Sequence, residues 1–474
     1  MSLTRKIAHN TFYQIIGKGL ATVLGILAVA LMTRYLGQTG YGHYVTVIAY
    51  LQFFGILVDM GLYIILLKKI SEEQADESKV ISNIFTLRLV TAIIFLGLAP
   101  LIVLFFPYPS IVKWGVLITS LSILFITLNQ LLIGIFQKKF KMSLVAYAEV
   151  AGKVALLIFT FIAIKASLNL LAILGAVVIG SFINFIITFC LARRFVTIRL
   201  QFDFDYWRQI IKESWPIAIS IALNLIYFKA DTVFLSIFKP AADVGIYGAP
   251  YKILEVLITL PAMFAGLVTP LLTRAFTAKD PVQFRQVLSK SLNFMVMIAL
   301  PMIVLTAFIA TDVMVLIAGQ EFSASGPVLQ ILIIAAASIF VGNLFGNAVV
   351  AVGQQRKMIK VYAIVAVVAV TGYLVFIPRY SYLGAAWMTV VSELLICFGS
   401  IWMVVRSTKV KLEIKTIGKT ILAIGLTALA LYLLPNWHFL ITLLIGGVIY
   451  LIILYLFKGY SKEMILEIVR SKQS

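Results

Sequence analysis

The chain has 474 residues, of which 62% are hydrophobic and only 12% are charged, and its mean hydropathy is +1.05. An ordinary soluble domain is about 45–50% apolar and about 25% charged. This composition excludes a water-soluble enzyme. It indicates a polytopic membrane protein, since the chain is long enough for roughly 13 or 14 membrane helices of about 20 residues each.

The net charge of +20 comes from 39 Lys and Arg residues against 19 Asp and Glu residues. In a soluble protein such an excess suggests nucleic-acid binding, whereas in a membrane protein basic residues accumulate in cytoplasmic loops. The two cysteines, Cys190 and Cys397, lie inside apolar runs, and the three histidines are scattered along the chain. We therefore expect no nucleic-acid partner, no metal site and no cofactor.

Apolar runs long enough to cross a hydrocarbon core about 30 Å thick follow one another along the chain. The first run follows Arg5 and Lys6 and is too long for a signal peptide, so it predicts an uncleaved first helix. The fold class predicted is an all-α polytopic membrane protein with about fourteen transmembrane helices. The predicted spans are residues 11–34, 42–67, 81–106, 111–136, 143–165, 168–192, 214–238, 246–273, 289–311, 326–352, 358–378, 382–405, 416–434 and 438–457.

Loop charge predicts the orientation of these spans. With both termini in the cytoplasm, 29 of the 39 basic residues fall in inner segments and 5 in outer segments. Cytoplasmic loops are enriched in Lys and Arg, so an even number of spans with both termini inside fits this asymmetry. The basic residues of the tail, such as Lys458 and Arg470, would then lie on the cytoplasmic side of the cytoplasmic membrane.

The sequence also predicts a division into two similar halves. The first outer loop contains Tyr41-Gly42-His43-Tyr44, and a similar aromatic-Gly pair followed by a tyrosine occurs at Tyr247-Gly248 and Tyr251. Parallel repeats of six spans are common in transporters. We expect a six-helix lobe at 1–200, an interfacial linker at 201–213 containing a short helix, a second six-helix lobe at 214–410, and two extra helices with a cytoplasmic tail at 411–474.

Ionisable residues inside the spans are the strongest functional indicators, because each costs about 2.5–3.5 kcal/mol at the centre of a membrane helix. Glu149 and Lys153 are four residues apart, and Lys252 and Glu255 are three apart, so each couple either forms a local pair or faces a polar cavity. The other members of the set are Lys18, Asp59, Arg88, Lys229, Asp231 and Glu393.

Span seven carries the leading candidate, Asp231. Asn224, Tyr227 and Asp231 share one face of the predicted helix, and Asp231 is too deep and too short to reach the membrane surface easily. On span one, Gln14 and Lys18 form a similar polar stripe, although Lys18 can also extend toward the cytoplasm. Pro261 lies in the middle of span eight and predicts a kink there.

These features resemble a known family. The chain resembles the polysaccharide-biosynthesis flippases of the multidrug/oligosaccharidyl-lipid/polysaccharide exporter superfamily. The resemblance lies in the fourteen spans arranged as two six-span lobes plus two, in the loop from Arg34-Tyr35-Leu36-Gly37 to Tyr41-Gly42, and in Pro216 and Asp231 of span seven. The resemblance implies transfer of a polyprenyl-pyrophosphate-linked oligosaccharide to the outer leaflet, coupled to an ion gradient. Membrane lipids and the polysaccharide polymerase and export machinery are the partners it implies.

The residue types fit that implication. A pyrophosphate needs cations, for which Arg offers a bidentate fork and Lys a point charge, while a glycan needs polar groups and a coupling proton or sodium ion needs a carboxylate. The candidate cations are Lys18, Arg88, Lys153, Lys229 and Lys252, the coupling candidates are Asp231, Glu255 and Asp59, and the candidate glycan contacts are Gln14, Asn224, Asn343 and Asn347.

Three alternatives remain open at this stage. A peptidoglycan lipid-precursor flippase and a cation-coupled drug exporter belong to the same superfamily, and the five intramembrane cations disfavour the drug exporter. A polytopic glycan polymerase or ligase would carry a sizeable outer loop with catalytic groups, which this sequence lacks. We therefore expect a transporter and not an enzyme.

Overall fold

The computed structural model describes residues 3–73, 76–412, 415–433 and 438–457. The predicted basic tail and the predicted break at Pro435-Asn436-Trp437 lie outside these residues. In the part described, the chain forms fourteen α-helices and no strand. The helices are α1 Leu3–Asp59, α2 Leu62–Ile70, α3 Glu77–Ile102, α4 Ser110–Lys138, α5 Met142–Lys165, α6 Leu170–Ala192, α7 Phe204–Phe238, α8 Ala241–Leu257, α9 Thr259–Thr277, α10 Pro281–Ala318, α11 Ser325–Ala351, α12 Gln355–Thr408, α13 Lys415–Leu433 and α14 Phe439–Leu456.

Twelve helical stretches in the described residues, some of them made of two adjoining helices, are long and apolar enough to cross a membrane. Two of these stretches are 55 and 54 residues long, about twice the length of one span. The first bends at Gly37, which has φ 64°, and the second at Ser381, which has φ 50°. If the arms on either side of these bends are counted separately, the fourteen predicted spans are all present. The predicted all-α, multi-pass architecture is confirmed.

The helix ends follow local chemistry. Asp76 caps α3 by accepting a 3.0 Å hydrogen bond from the Lys79 amide, and Asn169 caps α6 in the same way. Gly61 starts α2 with φ 76°, a left-handed conformation that glycine adopts without steric cost. The kink predicted in span eight is confirmed as a break at Ile258 between α8 and α9, three residues before Pro261.

The chain packs into two compact units. The first comprises Met1–Ala249, Ile317–Glu321 and Tyr373–Ala385, and the second comprises Pro250–Leu316, Phe322–Gly372 and Ala386–Ser474. The division into lobes at 1–200 and 214–410 that the sequence suggests stays a prediction. In the second unit, α13 and α14 pack beside α10, and the hydroxyl of Tyr450 donates a 2.8 Å hydrogen bond to the carbonyl of Met297.

The segment between α6 and α7 is held against α3 in the first unit. Polar side chains of α3 accept hydrogen bonds from every second amide of this extended segment, at Arg199, Gln201 and Asp203. The acceptors are Ser82, Thr86 and Asn83, each 1% exposed. Because Asp203 also caps α7, this extended segment leads directly into that helix.

The short interfacial helix expected between the halves is not separate. The helix that starts at Phe204 continues through Pro216 as α7. Proline removes one backbone hydrogen bond but does not have to end a helix. The first turns of α7 are anchored by Trp207 and Ile210, which are buried in the core formed with α2, α3 and α4.

Candidate functional site

The carboxylate of Asp231 is fully buried in the first unit. The hydroxyl of Tyr247 on α8 donates a 2.5 Å hydrogen bond to its Oδ2 atom. Thr232 donates to Oδ1 through its amide at 2.5 Å and its hydroxyl at 3.1 Å. These hydrogen bonds from α8 and from the next residue of α7 fix the orientation of a carboxyl group buried inside a predicted span.

The other residues of the polar face predicted on α7 also form hydrogen bonds. The side-chain amide of Asn224 donates to the Tyr227 hydroxyl at 2.5 Å. On α12, Tyr373 is fully buried and donates a 2.7 Å hydrogen bond to the Tyr227 carbonyl. The sequence singled out Asn224, Tyr227 and Asp231, but it did not indicate Tyr247 or Tyr373, because neither belongs to the same helix.

Arg88 forms a second buried site, with Asp59 and Gln130. The guanidinium is 0% exposed and its Nη2 atom donates to Asp59 Oδ1 and, at 3.2 Å, to Gln130 Oε1. The other guanidinium nitrogens, Nε and Nη1, have no hydrogen-bond partner. Asp59 is 14% exposed and also accepts a hydrogen bond from the Gly61 amide where α1 ends. A buried arginine with spare donors is thus held by an acid at a break in the helix.

Two more of the predicted cations lie between α1 and α5. The Nζ atom of Lys18 is 2.9 Å from Oε1 of Glu149, so this pair joins two helices. The Nζ atom of Lys153 lies near Gly25 of α1, since a Cβ added at Gly25 would be 3.9 Å from it. Gln14, one turn before Lys18, is partly exposed on the same helix.

The remaining predicted cations are Lys229 and Lys252. Lys229 on α7 lies with its Nζ atom 5.3 Å from the centre of the Phe228 ring. In the second unit, Lys252 and Glu255 form an ion pair of 2.8 Å on α8, which confirms the local pair that their spacing suggested. The five cations are thus distributed over both units, four in the first and Lys252 in the second.

The second unit also contains the predicted glycan contacts Asn343 and Asn347. The side-chain amide of Asn347 donates to the Asn343 carbonyl at 2.9 Å, and its Oδ1 atom is 3.1 Å from the Thr269 hydroxyl. Asn347 lines an open cleft of about 890 Å³ together with residues of α9. Among these residues is Arg274, which was not singled out from the sequence because it was assigned to a loop.

The two copies of the sequence repeat meet inside the first unit. The second arm of α1 packs so closely on α8 that a Cβ at Gly42 would overlap the carbonyl oxygen of Ala241. Likewise, a Cβ at Gly248, the glycine of the second copy, would be only 2.5 Å from a side-chain carbon of Val45. The glycines of the repeat therefore serve a direct contact between its two copies.

In the described part of the chain, no group of three or more His, Cys, Asp or Glu residues is arranged to hold a metal ion. The candidate site residues instead include ion pairs and hydrogen-bonded polar groups on apolar helices. Such clusters in membrane proteins mark pathways for substrates and ions.

The fold is that of a class of multi-pass membrane transporters. The solved structure described as "Lipid II flippase MurJ, inward closed conformation" aligns with a TM-score of 0.77 at 18% identity, covering 94% of this chain and 98% of that one. At this identity the likeness concerns the fold.

The sequence comparison is more specific. A family profile described as "Polysaccharide biosynthesis protein" matches residues 7–276, and one described as "MatE" matches residues 216–374. The chain belongs to the polysaccharide biosynthesis protein family, within the exporter superfamily whose resemblance was recognised from the sequence.

Two curated relatives agree with this assignment. A "Putative O-antigen transporter" from Shigella dysenteriae is 25% identical over 331 residues, which cover 68% of this chain and 79% of that protein. The "Capsular polysaccharide biosynthesis protein CapF" of Staphylococcus aureus is 23% identical over 285 residues, covering 59% of this chain and 71% of the relative.

Proposed function

We propose that this protein is a flippase that moves a polyprenyl-pyrophosphate-linked oligosaccharide across the cytoplasmic membrane for surface polysaccharide assembly. The observation that carries the proposal is the family match over residues 7–276, which contain all five of the cations predicted at membrane depth. Relatives described as an O-antigen transporter and a capsular polysaccharide biosynthesis protein support the same substrate class.

The buried charges suit this task. Arg88 has donors to spare beside Asp59, and a guanidinium binds phosphate oxygens through paired hydrogen bonds. Lys18 and Lys153 would add point charges from the helices α1 and α5, and Lys229 and Lys252 from α7 and α8. Gln14, Asn224, Asn343 and Asn347 offer amide groups that can hydrogen-bond sugar hydroxyls. Five cations inside the predicted spans disfavour a drug exporter that takes cationic compounds.

Energy for transport comes, in this proposal, from an ion gradient in an antiport mechanism. Asp231 is the leading coupling residue, since a carboxyl group buried at membrane depth changes its interactions when it gains a proton or a sodium ion. Asp59 and Glu255 are further candidates, because each is an acid paired with a base that would be released on protonation. The protein acts in transport and not as an enzyme.

The loop charges support an orientation with both termini in the cytoplasm and multiple passes through the cytoplasmic membrane. In this orientation the lipid-linked substrate enters from the inner leaflet. It leaves toward the polysaccharide polymerase and export machinery outside.

Deletion of the gene tests the function directly. If the proposal is right, lipid-linked oligosaccharide accumulates on the cytoplasmic side, surface glycan disappears, and a plasmid copy restores it. The likeness to a lipid II flippase favours a second candidate, a flippase for peptidoglycan precursors. In that case muropeptide-linked lipid accumulates instead. Increased sensitivity to cationic dyes with normal surface glycan would contradict both and favour drug export.

A further inference from the structure

The second unit holds an open cleft of about 890 Å³, which none of the charged pairs at membrane depth lines. Ligand sites for small molecules typically measure about 300–1,000 Å³, so the cleft can hold a head group of several sugar or phosphate units. It is lined by Gly266, Thr269, Pro270, Thr273, Arg274, Thr277 and Ala278 of α9 and its end, and by Asn347 of α11.

The shape of the cleft follows from the sequence of α9. Residues three to four apart share a helix face, so Ala265, Leu272 and Ala275 form one buried face on the helix, which packs against α11. Three threonines at a spacing of four, Thr269, Thr273 and Thr277, lie on a neighbouring face. A Cβ added at Gly266 would meet nothing within 4 Å, so this side of the helix is open.

The hydroxyl groups of two of the threonines, Thr269 and Thr273, already donate their protons within the protein, and their oxygens can still accept hydrogen bonds. Thr269 donates to the Ala265 carbonyl at 2.7 Å, and Thr273 donates to the Thr269 carbonyl at 2.9 Å. Each hydroxyl keeps acceptor lone pairs, which match the O–H donors of a sugar. Their methyl groups provide the small apolar surface on which the carbon face of a sugar ring can pack.

Arg274 supplies the charge of the cleft. It lies in the last turn of α9, is exposed, and has no ion-pair partner among the described residues. A guanidinium binds a phosphate through two parallel charge-assisted hydrogen bonds. A cation at one end of a row of hydroxyl and amide groups matches a molecule in which a diphosphate is joined directly to a sugar.

We propose that this cleft binds the diphosphate–sugar head of a glycolipid, with the diphosphate at Arg274 and the first sugar along Thr269, Thr273 and Asn347. The inference rests on the proposed function and deepens it. By the loop charges, the end of α9 lies on the cytoplasmic side. The cleft would therefore receive the head group on the side from which transport starts.

Binding of farnesyl diphosphate to the purified full-length protein in phosphatidylcholine nanodiscs tests the anchor. We expect Arg274→Ala to weaken binding roughly tenfold to a hundredfold, as for loss of charge-assisted hydrogen bonds. Arg274→Lys should weaken it less. Lys357→Ala, which removes an equal charge from the exposed start of α12 outside the cleft, should leave affinity unchanged. Equal affinity of the wild type and Arg274→Ala would overturn the proposal.

The sugar subsite needs a second probe, farnesyl diphosphate carrying one N-acetylglucosamine. In the wild type this probe should bind more tightly than farnesyl diphosphate alone. Thr273→Val and Asn347→Leu should remove that difference while leaving the affinity for farnesyl diphosphate intact. If the sugar adds no affinity in the wild type, or if both variants keep the full difference, the sugar assignment is wrong.

Phospholipid head groups also carry phosphate, so a change in the lipid composition of the nanodisc tests whether the cleft binds the glycolipid or a membrane phospholipid. Replacing a third of the phosphatidylcholine by phosphatidylglycerol should leave binding of the glycosylated probe nearly unchanged. Abolition of binding by phosphatidylglycerol would assign the cleft to membrane phospholipid and overturn the glycolipid proposal. The two proposals fail in different experiments. Unchanged surface glycan after gene deletion would refute the proposed flippase function, whereas unchanged probe affinity in Arg274→Ala would refute only the proposed binding of a glycolipid head in the cleft.

Discussion

The hydroxyl of Tyr247 on α8 donates a 2.5 Å hydrogen bond to Oδ2 of Asp231 on α7, and both residues are fully buried. A buried carboxyl group depends on such hydrogen-bond partners, because solvent does not reach it. The pair connects two helices of the first unit through the group that we propose to carry the coupling ion. The role of Asp231 can therefore be tested by substituting either Asp231 itself or its hydrogen-bond donor Tyr247.

Asp231→Asn should impair glycan export while leaving membrane insertion intact, because the amide keeps the shape of the side chain but cannot gain or lose a proton at neutral pH. Surface glycan and the amount of protein in the membrane are measured together. Asp312→Asn, an exposed position on α10, is the matched control and should export normally. Normal surface glycan in Asp231→Asn would remove this residue from the mechanism.

Tyr247→Phe should lower stability by about 1–3 kcal/mol, the cost of leaving a buried acceptor without one of its donors. The same change in the Asp231→Asn background should cost less, giving a coupling energy of about 0.5–3 kcal/mol in a double-mutant cycle. Chemical unfolding in detergent measures the four proteins. Strict additivity would show that the hydrogen bond contributes nothing to stability.

Arg88→Ala should destabilise the protein by about 3–5 kcal/mol, since breaking a buried ion pair by removing one partner leaves the other uncompensated. Asp59→Leu combined with Arg88→Met should recover much of that stability, because neither charge then remains in the membrane helices. Export should be lost in both proteins if Arg88 also binds the substrate. Full export by the stable double variant would assign Arg88 to structure alone.

Lys18→Ala separates function from stability more cleanly. The Lys18 side chain is 46% exposed, and exposed ion pairs contribute little to stability, so unfolding should shift by less than about 0.5 kcal/mol. Export should nevertheless fall more than in Lys411→Ala, which removes an exposed lysine of equal charge. Equal export by the two variants would count against a cationic substrate pathway.

Gly42→Ala should destabilise the protein by about 1–3 kcal/mol, because the added methyl group overlaps the backbone of Ala241. Gly97→Ala is the matched control on α3, where a Cβ meets nothing within 4 Å. There the change should be neutral or stabilising, since alanine favours helices. If both variants unfold alike, the contact between α1 and α8 is not as close as the structure indicates.

The sequence alone determined the class of this protein and the number of its helices. Apolar runs of span length are a local property, and the cost of exposing backbone groups to lipid makes each of them a helix. The repeated aromatic-Gly motifs can also be recognised without a structure, and they helped to indicate the superfamily. The orientation that the loop charge predicts stays a prediction. The sequence predicts Asp231 as a site residue because the number of residues between it and each end of the apolar run can be counted.

Tertiary packing decided how the polar groups are used. Arg88 and Asp59 lie on different helices, and Lys18 pairs with Glu149 on α5. The sequence assigned Arg274 to a loop. In the structure it lies at the end of α9, and because α9 packs on α11 with its other face, the threonines of α9 line an open cleft beside Arg274. Contacts of this kind depend on which face of each helix meets a neighbour. That choice minimises the energy of the whole assembly of helices, so it cannot be deduced from any single span.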